Sequence, residues 1–329
     1  MTHTDLIGLD WGATQLRAYR FVDGGEVAET RQLPAGVLRI ATDDSVTQRT
    51  APGAGFERAF EDACGDWWRA WPKTVILACG MVGSAQGWRE AAYLDAPVSV
   101  DGLGRSLTEI QTHRGAVLHI IPGVIARGPL PEVMRGEETQ VAGAIEGGAD
   151  AAGPRAGAWI GLPGTHSKWV RVQDGRIVQF RTFMTGEVFA ALCEHTILGR
   201  TMRRLSSPDF EAFDRGVELA RSPHARAGLL STIFSTRTLG LVGALPAESQ
   251  ADYLSGLLVG SEIAALEALG ALGEHLAPIM LVGSDELCQR YRRALAAFGH
   301  AAAIAAHATE RGLWRVAVSA GLVARSRAC

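Results

Sequence analysis

Asp10-Trp11-Gly12-Ala13-Thr14-Gln15-Leu16-Arg17 follows the apolar run Leu6-Ile7-Gly8-Leu9 and leads into Ala18-Tyr19-Arg20-Phe21-Val22, before a second turn at Asp23-Gly24-Gly25-Glu26. The pattern predicts strand, tight polar turn, strand: a β-hairpin whose bend carries a carboxylate, a glycine and a hydroxyl. Gly12 lets the backbone approach a bulky anion. Backbone N–H groups of Gly12 and Ala13, with Thr14, can donate to phosphate oxygens. Asp10 cannot hold a phosphate directly, but it can hold Mg²⁺ through water, as hard oxygen ligands do. An ordinary Asp-Gly turn would use the same residues, so downstream motifs must decide between the two readings.

Working outward, 329 residues exceed one comfortable core and predict two domains. The 47% apolar and 20% charged content is that of a folded globular chain. A net charge of −3, with no Lys/Arg run longer than two, leaves no footprint for nucleic acid. Cys64, Cys79, Cys193, Cys288 and Cys329 lack any Cys-x-x-Cys spacing and read as thiols in a reducing compartment. No basic-then-apolar leader opens the sequence and no run of 18 apolar residues occurs, so no membrane association and a cytoplasmic location are expected.

Strands are predicted at 5–10, 16–22 and 26–33, then a helix over 55–71 from the spacing of Phe56, Phe60, Cys64, Trp67, Trp68 and Trp71. That aromatic stripe could form a ligand platform, but helical spacing alone explains it as a core face. Strands follow at 74–79 and 116–121, a loop over 122–131 and a helix over 137–147. The clearest break is Gly147-Gly148-Ala149-Asp150-Ala151-Ala152-Gly153-Pro154. Beyond it the order repeats, with strands at 157–161, 168–173 and 176–183. Helices are expected at 186–199, 209–222, 225–234 and 250–270, and a strand-helix-strand-helix unit at 278–327. Two halves that open alike predict a duplicated α/β architecture with a cleft between them.

The second half opens on Gly161-Leu162-Pro163-Gly164-Thr165-His166-Ser167-Lys168-Trp169. Gly164 allows close backbone approach, Thr165 and Ser167 offer hydroxyls, and Lys168 a charge, a set suited to nucleotide phosphates. His166 lies inside the same loop, and a plain Pro-Gly turn would also fit. Arg135-Gly136-Glu137-Glu138-Thr139-Gln140 places an acidic pair at a helix N-terminus, where acids suit the helix dipole. One of them could instead accept a substrate hydroxyl proton during phosphoryl transfer. Neighbours on a helix point about 100° apart, so only one of Glu137 and Glu138 can face a given oxygen. Gly283 and Ser284, at a strand-to-helix junction, could approach a heterocycle or ribose, or simply cap a helix. Gly256 and Gly260, four apart, indicate close helix packing. Dinucleotide, zinc-protease and serine-hydrolase motifs are absent.

Asp-x-Gly-x-Thr-x-x-Arg at 10–17 resembles the first phosphate loop of the sugar-kinase, Hsp70 and actin superfamily. Over nearly its whole length the chain resembles the 2-dehydro-3-deoxygalactonokinase family. The most specific stretches are Asp10 to Arg17, Gly80-Met81-Val82-Gly83-Ser84 to Trp88, Pro122-Gly123-Val124, Arg135 to Gln140, Leu162 to Trp169, and Thr182-Phe183-Met184-Thr185-Gly186-Glu187. The resemblance implies two ribonuclease H-like (actin-like ATPase) domains with an interdomain cleft, divided as 1–136 and 137–329. The first would hold substrate and the first phosphate loop, the second the nucleotide. It implies transfer from ATP with Mg²⁺ to the 6-hydroxyl of 2-dehydro-3-deoxy-D-galactonate. By position, Asp10 would organise Mg²⁺, while Thr14, Arg17, Gly164 and Thr165 would line the phosphates. Gly283 and Ser284 would lie near the adenosine, and Glu138 would stand where related kinases place a catalytic Asp. Ser84, Gln86, Gly87, Trp88 and Arg89 suit a polyhydroxylated acid, and Arg89, Arg127 and Arg135 are the candidates for its carboxylate. Rival readings are a same-fold kinase for another sugar or sugar acid, or a nucleotide-binding regulator without transfer activity. A homodimer is left open.

Overall fold

A computed structural model describes residues 3–40, 53–146, 157–203, 207–272 and 277–324. The glycine-rich break at 147–154 lies outside the described residues. The chain forms two compact units. Unit 1 comprises Met1–Arg155, Val170–Phe180 and Ala305–Cys329, and unit 2 comprises Ala156–Trp169 and Arg181–Ile304.

Unit 1 is built on β1 (Leu6–Trp11), β2 (Leu16–Val22), β3 (Glu26–Leu33) and β4 (Val75–Gly80), followed by β5 (Tyr93–Asp95), β6 (Val98–Ser99), β7 (Thr108–Gln111), β8 (Val117–Ile120), β9 (Gly123–Ala126) and β10 (Glu132–Met134). The main sheet runs β3-β2-β1-β4-β8-β7. β1 pairs antiparallel with β2 and parallel with β4, so it is central and covered on both faces. Leu6, Ile7, Leu9 and Trp11 are all fully buried. β3 alternates exposed and half-buried residues and carries Glu26, Glu29 and Arg31, a charged edge of the kind that discourages further strand pairing.

The helix expected over 55–71 is three pieces: α1 (Ala54–Phe60), a π turn (Glu61–Gly65) and α2 (Asp66–Ala70). Its stripe belongs to the core, where Phe56, Phe60, Cys64 and Trp67 pack beside Trp11 and Ile76. The loop expected over 122–131 is partly wrong. Residues 123–126 are β9, parallel to β5 and antiparallel to β10 in a small second sheet. Four residues are too few to show a period, and the β5 partner lies some thirty residues upstream. The expected helix over 137–147 is α3 (Glu137–Glu146).

Unit 2 contains β11 (Ala158–Leu162), and the strands β12 (Ser167–Gln173) and β13 (Arg176–Phe183) each run through residues of both units. Then come α4 (Thr185–His195), α5 (Phe210–Arg221) and α6 (Gln250–Ala268), and finally β14 (Ile279–Leu281), α7 (Asp285–Ala297) and β15 (Ala302–Ile304). β14 lies parallel between β11 and β15. Gly216 and Gly256 let the backbones of α5 and α6 touch; a side chain on either would strike the other helix. The glycine spacing on α6 thus reports close helix packing, and no helix among the described residues is long and apolar enough to cross a membrane. The helix expected over 225–234 is broken at Gly228, whose φ of +87° ends a 3₁₀ turn before Leu229–Thr232. The last helix, α8 (Ala308–Ser319), belongs to unit 1 and packs on α3.

Candidate active site

In unit 1 the hairpin closes with Gly12 N–H donating to Gln15 O at 2.9 Å. Asp10 and Arg17 face each other in register across β1 and β2, with Arg17 Nη1 3.3 Å from Asp10 Oδ2. The carbonyls of Gly12, Ala13 and Thr14 accept from the N–H groups of Val37, Leu38 and Gly36 at 3.1, 3.1 and 3.2 Å. This fixes the loop by its carbonyls, while among the described residues nothing accepts from the N–H groups of Ala13 and Thr14. Such a loop can receive an anion. Burial raises the Asp10 carboxyl above its ordinary range; Arg17 opposes the shift and Glu310 reinforces it. A lone carboxylate beside a phosphate loop fits Mg²⁺, which keeps several waters and relies on one or two carboxylates plus ligand phosphates. Among the described residues, no group of three His, Cys, Asp or Glu could hold a metal by itself.

At the head of α3, Gly136 adopts φ +110° and turns the chain into the helix. Arg135 N–H donates to Glu137 Oε2 at 3.0 Å, and Gly136 N–H donates to Glu138 Oε2 at 2.7 Å. Thr139 Oγ1 donates to Glu138 Oε1 at 3.0 Å. Glu138 is fully buried, whereas Glu137 is partly exposed. Burial first, and then the charge of Glu137, push the Glu138 carboxyl up to about 8. Asp10 and Glu138 converge on Cys79, which pairs with Asp10 between β1 and β4. Burial and then these two carboxylates hold the Cys79 thiol far above its ordinary range.

The segment after β4 divides its candidates sharply. Gln86 and Arg89 are exposed, and Gly87 packs against the Val82 carbonyl. Trp88 stacks on Phe56 at 6.0 Å between centroids and meets Trp11 edge-on at 5.9 Å, so its ring is committed to the core. Arg127 is an exposed partner of Asp95. Arg135 differs: it is 8% exposed, donates from Nη2 to Ala91 O at 2.8 Å and lies 4.2 Å from the Tyr93 ring. Its Nε and Nη1 are buried and lack a hydrogen-bond partner among the described residues, as does the nearby Ser84 Oγ. Nη1 lies against Gly83, where a Cβ would come within 2.9 Å of it.

In unit 2 the loop after β11 leaves Thr165 and His166 exposed and Gly164 open to its surroundings. Thr165 O accepts from Glu187 N–H at 3.0 Å, and His166 Nε2 lies 2.5 Å from Glu187 Oε2. Ser167 and Lys168 are buried instead. Ser167 Oγ donates to Glu262 Oε1 at 2.7 Å and Lys168 Nζ donates to Thr182 Oγ1 at 2.9 Å. Glu262, from the middle of α6, also accepts from Trp169 Nε1, Thr185 Oγ1 and Tyr291 OH. Sequence reasoning missed it, though a single acid within the apolar run Leu257-Leu258-Val259-Gly260-Ser261-Glu262-Ile263 was a usable signal. A cavity of about 160 Å³ beside the loop is lined by Gly164, Gly186, Asp252, Leu287, Arg290 and Tyr291, among others. Ser284 caps α7 by accepting from Leu287 N–H at 3.5 Å, and Gly283 and Ser284 are exposed.

Two α/β units, each with a glycine-bearing loop after its first strand, and a buried carboxylate heading a helix in the unit of the first loop are the parts expected of a kinase. The chain belongs to the 2-keto-3-deoxy-galactonokinase family, whose model matches residues 10–316. It is 35% identical over 294 residues to the 2-dehydro-3-deoxygalactonokinase of Escherichia coli, a match covering 89% of this chain and 90% of that one. A Rhizobium meliloti relative assigned to the same activity is 35% identical over 297 residues, with 88% and 89% covered. The crystal structure of a Sinorhizobium meliloti protein, also assigned as a 2-dehydro-3-deoxygalactonokinase, superposes with a TM-score of 0.80 at 31% identity, covering 95% of this chain and 98% of that one.

Proposed function

We propose that this kinase transfers the terminal phosphoryl group of ATP to the 6-hydroxyl of 2-dehydro-3-deoxy-D-galactonate, a step in galactonate breakdown. The observation that carries the reading is Glu138: a fully buried carboxylate, held by Gly136 N–H and Thr139, in the same unit as the Asp10 hairpin. A general base works best with a pKa near the operating pH, and burial has moved Glu138 to about 8. In this reading Glu138 accepts the proton of the attacking hydroxyl, and Glu137 tunes it through charge. Asp10 would hold Mg²⁺, which would supply charge neutralisation at the phosphates. Gly12, Ala13, Thr14 and Arg17 serve the phosphates from residues 1–136, the substrate half. Gly164, Thr165 and His166 serve them from residues 137–329, the nucleotide half, with Gly283 and Ser284 toward the adenosine. ATP as co-substrate and the free thiols of Cys64, Cys79 and Cys288 suit a cytoplasmic setting.

The substrate's carboxylate is assigned to Arg135 with Ser84, rather than Arg89 or Arg127, because a buried guanidinium with two unpartnered nitrogens lacks an anion. A neutral hexose would leave that cation unpaired, at several kcal/mol, and each 1.4 kcal/mol is about tenfold in kcat/KM. The sugar acid is therefore expected to surpass glucose or galactose by at least roughly 10²-fold, with the gluconate epimer between them. The test is product identification and kcat/KM over a panel of 2-keto-3-deoxy acids and neutral hexoses with MgATP. Comparable kcat/KM for a neutral hexose would remove the sugar-acid assignment.

A further inference from the structure

The carboxylate of Glu262 accepts four hydrogen bonds, and nothing in the transfer chemistry uses it. It is 3% exposed at the middle of α6. Its four partners come from three other elements. Ser167 and Trp169 open β12 and reach Oε1 at 2.7 and 2.6 Å, while Thr185, at the start of α4, and Tyr291 of α7, at 2.8 Å, reach Oε2. Between β12 and α4 in space sits the loop Gly164–His166, since Thr165 O accepts from Glu187 N–H and Gly186 packs directly on Gly164.

The chemistry of the donors shows why the group is a carboxylate. An indole N–H can only donate, and a hydroxyl has one proton. Four donors converging on two oxygens suit a carboxylate, whose two oxygens can accept all of them. Burial outweighs the four opposing hydrogen bonds and holds the Glu262 carboxyl above its ordinary range. One consequence concerns Ser167. Its only proton goes to Glu262, so it has none left to give a phosphate.

We propose that Glu262 is a positioning residue for the nucleotide, fixing the second phosphate loop from behind, and that Ser167 acts through it rather than on the phosphates. The inference rests on the nucleotide reading of this loop given above. Direct phosphate contact then falls to the backbone N–H groups of Gly164 and Thr165 and to the Thr165 hydroxyl.

The experiment measures the ADP dissociation constant by calorimetry, and KM for ATP and for the sugar acid, in the full chain and in Glu262→Gln, Tyr291→Phe, Ser167→Ala and the Ser167→Ala/Glu262→Gln pair. Gln keeps one carbonyl for Trp169 and Ser167 and turns an amide toward hydroxyls able to accept, so it should fold; Tyr291→Phe removes one donor and keeps the ring. Expected are weaker ADP binding and a higher ATP KM in Glu262→Gln, by about tenfold, with the sugar-acid KM within twofold of the parent. A smaller change in the same direction is expected in Tyr291→Phe, and the double variant should be no worse than Glu262→Gln alone. Equal rises in both KM values, unchanged ADP affinity, or additive effects of Ser167→Ala and Glu262→Gln would overturn the proposal. ADP binding in a parent chain without turnover would instead count against the kinase reading, leaving the calorimetric arm to judge Glu262.

Discussion

Replacing Glu138 by Gln is expected to lower turnover by about 10²–10⁴-fold, the usual worth of a positioned proton acceptor, with little change in nucleotide affinity. The amide keeps an oxygen for Gly136 N–H, and the Thr139 hydroxyl can rotate to accept, so α3 should keep its head. Two pH signatures accompany the loss. The base must be ionised to work, and burial holds it to about 8, so kcat/KM of the parent should climb about tenfold per pH unit below that value and level off above it. Glu138→Gln should lose this limb. Stability should move with the opposite sign. A carboxyl raised in the folded state favours folding most while protonated, below its ordinary value of 4.5, and that contribution is lost as pH rises through about 8. Glu138→Gln cannot ionise, so its melting temperature relative to the parent should be higher at pH 9 than at pH 5. Should Glu137→Gln be the crippling change and Glu138→Gln remain active, the assignment within the pair is reversed.

Asp10→Asn should also reduce turnover, on the order of 10²-fold or more, because an amide cannot supply the negative charge that holds Mg²⁺ at the phosphates. Folding should survive. Asn retains an oxygen to accept from Arg17, and the strand register through Leu9 and Trp11 does not involve the carboxylate. The Mg²⁺ dependence of the residual rate is the sharper measurement: the half-saturating concentration should rise, whereas a pure folding defect would lower the rate at every concentration alike. Near-normal turnover with ordinary Mg²⁺ dependence would take Asp10 out of the mechanism.

What could be read in advance was mostly local. The opening hairpin was legible because its pattern, turn and partner strand all lie within residues 6–22. The acidic pair and its helix were legible for the same reason, although choosing Glu138 needed its complete burial, which depends on distant elements. The small sheet of β5, β9 and β10 was not legible, since its strands are three or four residues long and β5 pairs with β9 across about thirty residues. Lys168 belongs to a phosphate-like loop by sequence, and its place at the start of β12, buried with its ammonium on Thr182 Oγ1, depends on a strand the loop motif does not reveal. Glu262 was hidden by separation, lying 95 residues from Ser167. The three arginines offered for the carboxylate became distinguishable only once burial and pairing were known.

The seam between α3 and α8 bears on how the molecule is made. Gly143 lies against the Ala308 carbonyl and Gly312 against the Thr139 carbonyl, while Gln140 Nε2 donates to Thr309 and Arg311 and Arg315 donate to carbonyls of α3. The helix that carries Glu138 is thus clamped by residues translated some 170 positions later. A ribosome delivers Glu138, Gly136 and the whole of the hairpin long before it delivers that clamp. Until α8 emerges, α3 has an uncovered face. The nascent chain therefore carries Asp10, Glu137 and Glu138 well before the helix that covers α3.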